Sequence, residues 1–161
     1  VDPLRLPQGA LYTLEDNLAL FFTGFTRSAG DILRDQDRRT RSHDAAMIEN
    51  RHYVKRLGVE SRCALEAGDL RGFAGLMHVH WEHKKTRSAG MSNPEIDRLY
   101  EFAREHGALG GKLIGAGGGG FLLLYCPRDK QDAVRDALHH LPELPFHLER
   151  DGTKIIFNYR R

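Results

Sequence analysis

Apolar positions fall into two regimes along the chain, helical spacing through the middle and short unbroken runs near the start and in the last third. Leu18 to Phe22, LALFF, is one such run, followed by Thr23 and Gly24, and predicts a strand buried on both faces that ends in a turn. The residues before it contain Pro3, Pro7 and Gly9 without a starting cap, and read as chain picked up in the middle of something larger. Helices are predicted over Ala29 to roughly Arg39 and over Asp44 to Ala67, the second from Met47, Val54, Leu57, Ala64 and Leu65. Gly68 is its stop and Asp69 the cap of the next helix, where Leu70, Phe73, Met77 and Trp81 form an apolar stripe running to about Lys85. Asn93 as cap and Pro94 in the first turn start a further helix, with Ile96, Leu99, Tyr100 and Ala103 on one face and Gly107 at its end.

The last third changes period. Ala108 to Ile114 and Phe121 to Cys126 predict strands on either side of a glycine run, and Ala133 to Leu141 an amphipathic helix stopped by Pro142. Leu144 to Leu148 and Lys154 to Tyr159 are two more short strands, with Asp151-Gly152 as a hairpin signal between them. The order strand, glycine loop, strand, helix, strand, strand predicts an α+β fold: an antiparallel sheet covered by helices, ferredoxin-like with inserted helices.

The 161 residues suit one compact domain, and 40% hydrophobic with 29% charged residues is the balance of a soluble globular protein. A formal charge of +2, from 24 basic and 22 acidic residues, argues against nucleic acid as a partner. Cys63 and Cys126 are too few and too far apart for a zinc cluster or a disulfide framework, so a reducing cytosol is expected. The apolar run Phe121 to Cys126 is too short to span a bilayer and no secretory leader is visible, so no membrane role is expected and the protein reads as cytoplasmic.

Gly115, Gly117, Gly118, Gly119 and Gly120 are five glycines in six positions, with Ala116 between them. A restricted glycine costs roughly 0.5–1 kcal/mol more than alanine, so five together forgo about 2–5 kcal/mol as an upper estimate. Two tasks justify that: turning through positive φ, and presenting successive N–H groups to an anion with no side chain in the way. A flexible turn between strands is the plain alternative. GAGGGG satisfies G-x-G-x-x-G, but a strand follows it where a dinucleotide fingerprint opens a helix. Lys112 lacks the upstream glycine and the following Ser/Thr of a Walker A loop.

KLIGAGGGGF, from Lys112 to Phe121, is similar to the third motif of the GHMP kinases. Three further stretches, LEDNLALFFTGFTRSAGDIL at Leu14 to Leu33, WEHKK, and GMSNPEIDRLYEFAREHGALGGKL at Gly90 to Leu113, resemble the D-glycero-D-manno-heptose 7-phosphate kinase branch. The resemblance covers nearly the whole chain. It implies transfer of the γ-phosphoryl of ATP, with Mg²⁺, to a small-molecule hydroxyl, here the anomeric hydroxyl of a heptose phosphate. It also implies that Gly115, Ala116, Gly117, Gly118, Gly119 and Gly120 pack beside the nucleotide-phosphate loop. The family's main phosphate loop, of the type P-x-x-x-G-L-G-S-S-A, and its acidic groups belong to an N-terminal half, and no such loop occurs in these residues. Residues 1–161 are therefore expected to form a C-terminal domain lacking the catalytic, ATP-binding half, with no catalytic side chain and no metal ligand of its own. Alone, the chain is expected to bind ATP poorly and to show no turnover.

Arg27 and Ser28, within TGFTRSA, follow a strand end, where an arginine can fork two donors onto a substrate phosphate or pair with Asp31. Thr23 and Gly24 are then backbone-shaping neighbours in the same substrate site. Lys84, Lys85 and Arg87 are read as a solvated helix end in preference to an anion site. His78, His80 and His83 lack a third ligand at suitable spacing, so a metal is not favoured. Three functional readings remain open: the C-terminal domain of a sugar-phosphate kinase, a stand-alone binding or regulatory module, and one half of a split kinase. A face bared to a missing half would be apolar, which predicts self-association as a homodimer or aggregate.

Overall fold

The computed structural model describes residues 4–26, 29–42, 44–86, 90–115, 117–149 and 157. Within them, β1 (Leu18–Phe22), β2 (Gly110–Ile114) and β3 (Phe121–Tyr125) form an antiparallel sheet in the order β1-β3-β2. Leu20, Leu123 and Lys112 stand side by side across it, as do Phe22, Phe121 and Ile114. The sheet is covered by helices, and the α+β architecture agrees with the sequence pattern.

Alternation along the strands sorts the core into two layers. Ala19, Phe21, Leu113, Leu122 and Leu124 meet Ile96, Leu99, Tyr100 and Ala103 of α5 (Pro94–Glu105) and Val134 of α6 (Gln131–Ala137). On the other face, Leu18, Leu123 and Tyr125 pack with Leu14 of α1 (Ala10–Asp16) and with Leu70, Ala74 and Met77 of α4 (Leu70–Lys85). β1 is thus not buried on both faces as its apolar run predicts, because Leu18, Leu20 and Phe22 remain half-buried on this second, less covered face.

α4 lies directly on the edge strand β2. A Cβ at Gly110 would stand 1.9 Å from the carbonyl oxygen of Ala74, so only glycine admits the helix backbone there. α3 (Ala45–Glu66) runs beside α4, and α2 (Ala29–Arg41) beside α3. The predicted caps are in place: Asp44 accepts from the Met47 amide at 3.1 Å, Asp69 from Gly72 at 2.8 Å, and Asn93 from Ile96 at 2.9 Å.

The structure departs from the sequence pattern in three places. α1 occupies part of the start, where no element is predicted; Gly9 precedes it with no side-chain cap, so no start signal marks it. Leu144 to Leu148 is not a strand. The pairing with β1 is confined to the Phe21–Glu143 bridge and the flanking bonds of Phe22 to Pro142 and Leu144 to Leu20, and Pro145 lacks the N–H to extend it. α6 closes at Ala137, earlier than its apolar residues suggest, with Leu138 buried just beyond the helix. The strand predicted at Lys154 to Tyr159 and the Asp151-Gly152 hairpin lie outside the described residues.

Candidate functional site

The glycine loop leaves β2 at one end of the sheet and returns into β3. Gly115, Gly117, Gly118 and Gly120 have φ of 103°, 112°, 76° and 104°, a region that side chains other than glycine's rarely enter. Turning through positive φ is therefore one of the loop's tasks. Close approach is another: a Cβ at Gly119 would stand 2.5 Å from the Phe25 carbonyl oxygen, and one at Gly117 2.8 Å from the Met91 sulfur. The loop is wedged between the segment after β1 and the segment before α5, an arrangement unlike a flexible turn.

Its amides are only partly available to a ligand. The Gly118 N–H donates to the Met91 carbonyl at 2.9 Å and the Gly120 N–H to the Phe25 carbonyl at 2.8 Å. Two of the groups expected to face an anion are thus bonded within the domain.

Both ends of the loop are held by side chains. Among the described residues the buried polar or charged side chains are Thr23, 4% exposed, and Lys84, 7% exposed. The Thr23 hydroxyl donates to the Gly120 carbonyl at 2.8 Å and accepts from the Phe25 amide at 3.4 Å. Lys84 Nζ donates to the carbonyls of Leu113 at 3.1 Å and Gly115 at 2.8 Å. Lys84 therefore departs from the solvated helix-end reading. No sequence signal marks it, since its acceptors are backbone groups 29 and 31 residues further on. Lys85 beside it is partly exposed and pairs with Glu82 at 2.7 Å, as a helix-end cation does.

Of the residues assigned to substrate, Thr23 is turned into the loop and Gly24 is exposed at φ 77°. Arg27, Ser28, Ala116 and the remaining basic residue Arg87 lie outside the described residues. Phe25 and Ile114, on either side of the loop, stay 37% and 40% exposed, while the Phe22 and Phe121 rings pack against each other at 5.3 Å. The sheet end that carries the loop is therefore apolar and open. Ser92, at the start of α5, donates to Asp97 at 2.8 Å.

The histidines diverge. His78 Nδ1 lies 2.8 Å from the Tyr100 hydroxyl, and burial, reinforced by the Arg104 charge, holds the imidazole below its ordinary pKa. His83 stacks on Tyr53 at 3.9 Å, and His80 lines a hollow of about 360 Å³ with Met77 and Lys112. No group of three His, Cys, Asp or Glu among the described residues is placed to hold a metal ion. Cys63 and Cys126 are both free, and burial pushes the Cys126 thiol up to about 11. No helix among the described residues is long and apolar enough to cross a membrane.

Comparison with known proteins gives this geometry a context. Residues 62–143 match the family described as GHMP kinases C terminal. A D-glycero-alpha-D-manno-heptose 7-phosphate kinase from Campylobacter jejuni is 33% identical over 136 residues, which cover 84% of this chain and 40% of that enzyme. Among solved structures, the L. major mevalonate kinase in complex with R-mevalonate superposes with a TM-score of 0.71 at 24% identity, over 76% of this chain and 37% of that one. The D-glycero-D-manno-heptose 1-phosphate kinase from Bacteroides thetaiotaomicron does so with a TM-score of 0.57 at 23% identity, over 91% and 37%. At these identities the structures speak for the fold alone. The chain thus spans about two fifths of the Campylobacter enzyme's length. With the family match extending over more than half of its residues, and a relative one-third identical across most of its length, the chain belongs to the GHMP kinase family.

Proposed function

We propose that this chain serves as the C-terminal domain of an ATP-dependent sugar-phosphate kinase, acting on D-glycero-D-manno-heptose 7-phosphate at its anomeric hydroxyl. In that reaction the anomeric oxygen forms a bond to the γ-phosphorus, the bond from that phosphorus to the β-phosphate's bridging oxygen breaks, ADP leaves, and the hydroxyl proton is released. The carrying observation is the glycine loop, held on a cramped path between Phe25 and Met91 at an open, apolar end of the sheet. Phosphoryl transfer is largely a matter of positioning and charge stabilisation, and a backbone fixed this tightly supplies position.

On this reading the labour is divided: Mg²⁺ and the bulk of the ATP contacts belong to an N-terminal half docked on this end of the sheet, since the chain spans 40% of the Campylobacter relative's length. When bound, Mg²⁺ would supply positive charge that offsets the charge of the nucleotide's phosphates. The exposed Phe25 and Ile114 suit the docking of that half and, in its absence, homodimer formation. Arg27 and Ser28 come after Thr26 in the sequence, close behind Phe25, whose carbonyl holds Gly120, and an arginine there would fork its donors onto the substrate's 7-phosphate. The sugar specificity rests on the Campylobacter relative, and a cytoplasmic setting is where such a phosphorylated substrate would be met.

The test is phosphorus NMR of the full-length protein that carries this chain, supplied with Mg-ATP and heptose 7-phosphate, galactose or mevalonate in turn. The expected result is a new anomeric phosphate on the heptose and ADP in equal amount. Transfer only to another acceptor overturns the heptose assignment. Transfer to none of them overturns the kinase reading.

A further inference from the structure

The two buried polar side chains of the described domain bind opposite ends of the same loop: Thr23 at the Gly120 carbonyl, and Lys84 at the Gly115 carbonyl. Lysine is seldom buried, because its ammonium loses hydration that an apolar side chain of similar length would not need. Lys84 stands in the last turn of α4, whose other basic residues, His83 and Lys85, are more exposed. Its ammonium reaches past the helix end to β2, an edge strand, where it binds the Leu113 carbonyl, and then to the first glycine of the loop. At that glycine a Cβ would meet nothing within 4 Å, whereas its carbonyl is held by the hydrogen bond from Lys84.

We propose that Lys84 is a positioning residue for phosphoryl transfer: by tying the Gly115 carbonyl to the end of α4, it sets the path on which the chain enters the glycine loop and hence where the loop's backbone meets the nucleotide phosphates. The inference rests on the kinase reading for its catalytic consequence and on the hydrogen bonds alone for the clamp itself. Gly118 and Gly120 are already fixed by Met91 and Phe25, so the entrance at Gly115 is the part of the loop whose placement depends on a side-chain charge. An error of about 1 Å at a phosphate-binding backbone is enough to cost up to about 100-fold in rate.

The experiment compares wild type, Lys84→Met, Lys84→Arg and Lys55→Met in the full-length protein. Met keeps the apolar stem and removes the ammonium; Lys55 is an exposed lysine on α3 whose loss controls for net charge. Hydrogen exchange by mass spectrometry and steady-state kinetics are read together. In Lys84→Met, exchange rises in the peptide spanning 113–120 and not elsewhere. In the same variant kcat/KM for ATP falls by about 10- to 100-fold. KM for the sugar phosphate stays unchanged, Lys84→Arg recovers part of the loss, and Lys55→Met matches wild type. Unchanged exchange in the loop overturns the clamp, and raised exchange with unchanged ATP kinetics overturns the positioning role. Should Lys84→Met fail to fold, Lys84→Gln carries the test: wild-type exchange and ATP kinetics in it overturn the proposal, because its shorter, neutral amide supplies no charge and does not reach both carbonyls. A wild-type protein without phosphoryl transfer overturns the kinase reading and the positioning role with it, while the exchange data still decide whether the clamp exists.

Discussion

Gly119 is held by contact where its neighbours are held by dihedral angle. Its hypothetical Cβ would collide with the backbone of Phe25, which cannot turn aside as a side chain would. Gly119→Ala is therefore expected to destabilise the chain by about 1–3 kcal/mol, the range for overpacking, as read by urea unfolding. It should also speed exchange of the Gly120 amide, whose bond to the Phe25 carbonyl is strained at the same time. His78 carries a pH dependence. Burial, and then Arg104, lower its pKa, so the unfolded chain takes up this proton at higher pH than the folded one. Stability is accordingly fully present above an ordinary histidine value of about 6.5, and is lost as pH falls from there toward the folded pKa. In its neutral form Nδ1 can accept from the Tyr100 hydroxyl, itself pushed up to about 12 mainly by burial, and protonation removes that acceptor. Melting temperature measured from pH 8 to pH 5 should fall less in His78→Gln than in wild type; parallel curves would contradict this. At this scale the glycine run was legible because a compositional extreme has few physical causes. Lys84 was not, since a basic residue in a last helical turn has the same local sequence whether its head meets water or two distant carbonyls.

Elements were read best where their ends carry chemistry. α3, α4 and α5 begin at Asp44, Asp69 and Asn93, each of which accepts a hydrogen bond from an amide of the first turn. α1 has neither a cap bond nor an acidic first turn, and Leu14 is its buried residue, so tertiary contact rather than local signal forms it. Leu144 to Leu148 shows the converse, an apolar run whose neighbour β1 offers pairing only at its far end before Pro145 intervenes. The contact of α4 with β2 sets the position of Lys84 relative to the loop, and Gly110 makes that contact. Gly110→Val should force the helix off the strand at a cost of about 3 kcal/mol, the upper end for overpacking, measured by denaturant unfolding. It should also raise exchange in the glycine loop without any change to the loop's own residues. A loop unaffected by that substitution would mean that α4 does not hold it.

For the whole molecule, the proposed function divides one reaction between two halves. This chain holds a rigid glycine loop at an open apolar end of its sheet, and it spans 40% of the length of the Campylobacter heptose kinase it resembles. On the proposed function the rest of the nucleotide site belongs to an N-terminal half, which is why it was not legible in these residues. The exposed apolar residues beside the loop predict that the chain by itself associates in sedimentation experiments, and that joining it to its N-terminal half suppresses the association. The most direct test sets the 161-residue chain beside the full-length protein that carries it and follows ADP release with Mg-ATP and heptose 7-phosphate. Turnover by the full-length protein and none by the chain alone is the predicted result; Mg²⁺-dependent turnover by the isolated chain would contradict it.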